Sequence, residues 1–214
     1  MVADRASAHL IAVGEPAQHL VLSSLREPDF PGQLKAISTI GRLCSSSSEA
    51  VPELVHLLQS PDPGTSKAAG VAIAEIGAPA NDALLGLLHR SDEPKMTARC
   101  IAALSRIAQR HEERNVDKRV VSALLENLQA SNESVMLDCL SGLACAAHLP
   151  KDALDQIAAL LDSPSADTRA MTAHALRQRL NVSDEVATRL QVIALSDPVE
   201  FVRQAASDKA PRAH

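Results

Sequence analysis

Leucine-rich segments that run into a short polar turn recur along this chain, in LVHLLQSPDP, LLGLLHRSDEP, LLENLQASNE, IAALLDSPSAD and LQVIALSDPVE. Each reads as the end of one helix, and each is followed by a second helical segment rich in alanine. The last leucines of successive units, Leu25, Leu58, Leu88, Leu128, Leu161 and Leu195, lie 33, 30, 40, 33 and 34 residues apart. That is the period of helical repeats, with an insertion in the third unit. One joint recurs with little change: VGEPAQHLVLSSL at 13–25 returns as IGAPANDALLGLL at 76–88, an offset of 63 residues. There Gly14 and Gly77 are expected to end a helix in the left-handed conformation that glycine allows, and Pro16 and Pro79 to prevent its continuation.

The pattern predicts first helices at about 15–26, 49–59, 80–90, 116–129, 151–162 and 183–195, and second helices at about 33–44, 64–77, 95–114, 133–149, 166–180 and 199–208. Residues 4–13 match a second helix without its first, so the chain starts in mid-unit, as a capping helix or as part of a longer protein or complex. Asp62-Pro63 and Asp197-Pro198 read as an N-cap followed by proline at the first helical position, with Glu200 as a capping-box acid. The expected fold is all-α: a right-handed α-solenoid of about six antiparallel helix pairs with an extra N-terminal helix. It forms a single domain over 1–214 that frays at about 208–214.

The segments SPDPGTSKAAGVAIAEIGAPA and SDPVEFVRQAA resemble HEAT repeats, especially the phycobilisome-lyase-like variety. The resemblance implies stacked helix pairs whose second helices line the concave side, with an acid in each turn and a base early in each second helix. Lys35, Lys67, Arg99, Arg169 and Arg203 match that base, and Asp138 departs from it in the fourth unit. A ladder of turn acids and helix bases should therefore be interrupted there. Members of this family serve mainly as scaffolds and adaptors, so the resemblance speaks to fold more than to activity.

Composition narrows the chemistry. Trp and Tyr are absent and only Phe30 and Phe201 are aromatic, which argues against a β-barrel or sandwich and removes base stacking of the kind used by DNA-alkylation-repair glycosylases. A formal charge of −5 argues against general nucleic-acid binding. No apolar run approaches a membrane helix and the N-terminus has no basic leader, so a cytoplasmic protein is expected. Cys44, Cys100, Cys139 and Cys145 show no CxxC spacing and read as buried free thiols. His111-Glu112 resembles one metal-binding pair of the deoxyhypusine hydroxylases, but that family needs several and the pair occurs once. The serines at 45–48 read as a joint, and no GxSxG or phosphate-cradling loop is present. No catalytic residue, metal site or cofactor is therefore expected.

Charge supplies the remaining signal. The segments read as second helices carry more bases than acids, and the first helices the reverse. The helix KMTARCIAALSRIAQRHEER places Arg99, Arg106, Arg110 and Arg114 along one stripe at 100° per residue, flanked by Lys67 and Arg169 on neighbouring second helices. Arginine suits bidentate recognition of carboxylates. The expected function is a non-catalytic scaffold or adaptor that docks an acidic segment of another protein on the concave second-helix face. The alternative is an accessory enzyme subunit, of lyase or hydroxylase type, using an externally supplied cofactor.

Overall fold

The computed structural model describes residues 9–25, 32–43, 48–110, 116–130, 132–177, 179 and 182–207. Among them every regular element is helical. The chain divides into two compact units, Met1–Arg110 and His111–His214. The first holds α1 (described over 9–13), α2 (Glu15–Leu25), α3 (Gln33–Leu43), α4 (Val51–Leu58), α5 (Pro63–Ile76), α6 (Asn81–Arg90) and α7 (Pro94–Arg110). The second holds α8 (Lys118–Glu126), α9 (Glu133–Cys145), α10 (Lys151–Ala159), α11 (Ala166–Arg177), α12 (Asp184–Ser196) and α13 (Glu200–Ser207).

Leucine and alanine divide the packing between them. In the first unit α2, α4 and α6 each pack on the helix that follows, while α3 packs on α5 and α5 on α7. The second unit repeats the plan, with α9, α11 and α13 in succession and α8, α10 and α12 paired to them. Ile37, Ile40, Leu58, Ile73, Ile101 and Leu104 are closed to solvent between the two layers of the first unit. Each such side chain contributes about 1.5–3 kcal/mol by burial. Small residues set the spacing within the second-helix layer. A Cβ on Gly41 would lie 2.8 Å from the Cα of Ala72, so α3 and α5 cross in backbone contact.

The recurring joint is the same object twice. Gly14 and Gly77 have φ of 75° and 82°. Gly14 N–H donates to Leu10 at 3.2 Å and Gly77 N–H to Ile73 at 3.1 Å, while Ala17 and Ala80 donate back to the two glycine carbonyls at 3.0 Å. At Gly77 ψ is −141°, outside the left-handed helical basin and in a region that essentially only glycine occupies. Pro16 and Pro79 lie in the first turn of the following element, where a missing N–H costs little.

The two Asp-Pro turns differ. Asp62 caps α5 as expected: it accepts the Thr65 N–H at 2.6 Å ahead of Pro63, and this bond holds its carboxyl below the usual carboxylate range. Asp197 does not. Its Oδ1 accepts the Val199 N–H at 2.9 Å, α13 starts at Glu200, and both carboxylate oxygens are also engaged by Arg169. Glu200 faces Gln204 rather than closing a capping box. A further departure is α9, which ends at Cys145 and not near 149. The buried Arg179 guanidinium donates to the Leu143 and Ala146 carbonyls and caps the helix there.

Candidate functional site

The second helices of the first unit present three parallel stripes. On α3 these are Leu34, Ser38 and Arg42, on α5 Lys67, Val71 and Glu75, and on α7 Ala102, Arg106 and Arg110. A spacing of four residues keeps each set on one side of its helix. Leu34 is 53% and Val71 42% exposed. Together α3, α5 and α7 bear Lys35, Arg42, Lys67 and, on α7, Lys95, Arg99, Arg106 and Arg110, against the single acid Glu75. The second unit lacks this bias: α9 has Glu133 and Asp138 and no base, and α11 and α13 are nearly balanced. The basic character expected of all the second helices belongs to the first unit.

The predicted site residues separate by what they touch. Arg99 is half-buried, and its Nη1 donates to the carbonyls of Leu58 at 2.9 Å and Ser60 at 3.1 Å, satisfying the open end of α4. Arg110 makes a bidentate ion pair with Glu75 at 2.6 and 2.8 Å. Arg106 makes no hydrogen bond or ion pair with the described residues, and its Nη1 lies 4.0 Å from where a Cβ on Gly70 would stand. The guanidinium thus rests across α5 at the point where α5 has no side chain. Lys67 is exposed and likewise unpaired among the described residues. Arg114 lies outside them, as do the serines at 45–47, Cys44 and the His111-Glu112 pair.

Arg169 belongs to the second unit and is built into it. Nε and Nη2 engage Asp197 at 2.8 and 3.1 Å, and Nη1 donates to the Ser163 and Pro164 carbonyls at 2.9 and 3.2 Å. The two side chains are 13% and 6% exposed. The Arg169 hydrogen bond is the main cause of the lowered Asp197 pKa, and Arg203 adds to it while donating to the Asp197 carbonyl at 2.6 Å. The base-and-acid ladder therefore runs largely through main-chain carbonyls, with Asp197 the acid it uses in this unit.

Sequence reasoning missed two features. Arg42 is exposed on the same face as Arg106, and the i, i+4, i+8 pattern of Leu34, Ser38 and Arg42 was the available signal. The second is a cavity of about 490 Å³ in the second unit, lined by Val116, Val121, Leu125, Ala147, Leu149 and Pro150. It borders the extended stretch left by the early end of α9. Cys100 and Cys139 are buried free thiols, as expected, and burial pushes both up to about 12. Among the described residues no group of three or more His, Cys, Asp or Glu could hold a metal ion, and no helix is long and apolar enough to cross a membrane.

Residues 19–105 match the family of HEAT repeats. No curated protein sequence matches the chain. Among solved structures, an archaeal HEAT-like repeats protein from Thermococcus onnurineus NA1 is similar at a TM-score of 0.59 and 14% identity, covering 94% of this chain and 89% of that one. The complex of CpcE and CpcF of phycocyanin lyase from Nostoc sp. PCC7120 is similar at 0.58 and 20%, covering 73% and 95%. A designed armadillo repeat protein in complex with the peptide (KR)4 is similar at 0.58 and 19%, covering 87% and 95%. In fold this chain is a helical-repeat protein of the HEAT and armadillo type, and residues 19–105 carry HEAT repeats.

Proposed function

We propose that the chain is a non-catalytic scaffold or adaptor whose first unit docks an acidic segment of a partner protein on the second-helix face of α3, α5 and α7. The observation that carries this is the charge of that face, on which Glu75 is the lone acid of the three helices. Lys67 and Arg106 make the direct contacts, since neither is paired among the described residues. Arg99 and Arg169 hold turns in place, and Arg110 is available only by exchanging Glu75 for a partner carboxylate. With no Trp or Tyr in the chain, aromatic anchors come from the partner.

The test is affinity capture from the source cell with wild-type bait and with Lys67→Glu/Arg106→Glu bait, each checked for an unchanged helical signal. A partner retained by the wild type, released by salt and lost with the reversed face supports the proposal. Retention of every partner at wild-type strength by the reversed bait refutes it. A second reading, that of an accessory lyase subunit, rests on the likeness to the CpcE and CpcF complex. A visible chromophore that copurifies with the chain at stoichiometric amounts would favour it.

A further inference from the structure

The cavity in the second unit has two walls of different make. Lys118, Val121, Ser122 and Leu125 recur at three- and four-residue spacing, so they share one side of α8. The other wall is the stretch 146–150, which joins α9 to α10. That stretch is held at both ends. The Ala146 carbonyl accepts from the buried Arg179 guanidinium, and Pro150 stands at the N-cap of α10, its carbonyl accepting the Ala153 and Leu154 N–H groups. Leu149, 5% exposed, anchors it in between. The space of about 490 Å³ is therefore built into the fold, and it has the size of a small-molecule site.

The lining is mainly apolar, through Val121, Leu125, Ala147, Leu149 and Pro150, and its polar members are Lys118, Ser122 and His148, with no acid among them. None of these three makes a hydrogen bond or ion pair with the described residues. The adjacent acid, Asp117, is turned to Arg119: it accepts the main-chain N–H at 2.9 Å and pairs with the guanidinium at 2.7 Å. The charge at the lining is thus positive. We infer that this cavity binds a small amphipathic carboxylate, with its aliphatic chain against Val121, Leu125 and Leu149 and its carboxylate at Lys118, Ser122 and His148. Lysine supplies the opposite charge, and a serine hydroxyl and an imidazole N–H can each donate to a carboxylate oxygen. A purely apolar ligand would gain nothing from the three donors, a small polar anion nothing from the apolar walls, and a cationic ligand would meet Lys118. The inference is independent of the acidic docking face, which belongs to the first unit.

Equilibrium dialysis of the full chain against radiolabelled octanoate tests this, with hexanoate and 1-octanol as competitors. Octanoate should saturate at one site per chain. Affinity should rise about fourfold per methylene from hexanoate to octanoate, the equivalent of ~0.8 kcal/mol for each buried CH₂. Lys118→Met keeps the apolar stem and removes the charge, so it should weaken octanoate by up to about fivefold and leave 1-octanol unchanged. Ser122→Trp, at an exposed position of α8, should fill the cavity and abolish binding while the helical signal is kept. Should that variant lose its helical signal, the effect of Lys118→Met on octanoate against 1-octanol decides alone. Absence of saturable binding to the wild type overturns the inference, as does binding that survives in folded Ser122→Trp or a Lys118→Met variant that binds octanoate as the wild type does. If octanoate fails to bind and a Ser122→Trp bait loses a protein that the wild-type bait captures, the cavity seats a partner's side chain and the inference falls.

Discussion

Asp197 carries three duties on one carboxylate and one carbonyl: it accepts the Val199 N–H, pairs with Arg169 and receives Arg203 through its main chain. Its folded pKa is depressed below the unfolded value of about 3.9. The stabilisation it supplies is therefore full above that unfolded value and is lost as the pH falls through the folded one. Urea midpoints of the wild type and Asp197→Asn should differ at pH 7 and converge only below about pH 4. A constant difference down to the lowest accessible pH would show that the ionised pair is not the source. The contrast with Asp62 explains what was legible at this scale. An N-cap needs only the next three residues, so Asp62-Pro63 could be read from the chain. The partner of Asp197 lies 28 residues away, that of Arg110 lies 35 away, and those of Arg99 lie 41 and 39 away, in the turn after α4. No periodicity along one helix reveals such partners, which is why the arginine stripe looked uniform and is not.

At the scale of elements, helix bounds followed from leucine spacing and turn residues to within a few positions, because both are local. The end of α9 did not, because Arg179 stops it from beyond the next helix pair. Helix crossings were legible only as a richness in small residues, without a register. The structure supplies the register at Gly41, where even a methyl group would strike the main chain of Ala72 at 2.8 Å. Gly41→Ala should therefore lower stability by about 1–3 kcal/mol, the usual cost of overpacking, despite the better helix propensity of alanine. Chemical denaturation measures it, and a gain in stability would show that the crossing has slack.

At the scale of the molecule, the acidic total of −5 conceals a first unit with a basic second-helix layer and a second unit without one. The net sign of the layers was countable along the chain, but its confinement to one unit emerges only when the layers are assigned to compact halves. The repeat itself was the plainest signal, and its sharpest trace was the joint shared by Gly14 and Gly77. Because those joints match hydrogen bond for hydrogen bond at an offset of 63 residues, the interval between them should behave as an interchangeable module. A second copy of residues 14–76 inserted after Ile76 would start with Gly14 where Gly77 now stands and hand over to Gly77 with its own Ile76. Stability in arrays of this kind builds from neighbour to neighbour, so the lengthened protein should remain helical and show a larger denaturant m-value, in proportion to the surface it adds. An insoluble or less cooperative product would show that the joint is not a module boundary. If it is one, the growth increment of this chain is two helix pairs rather than one, and its length becomes an adjustable property.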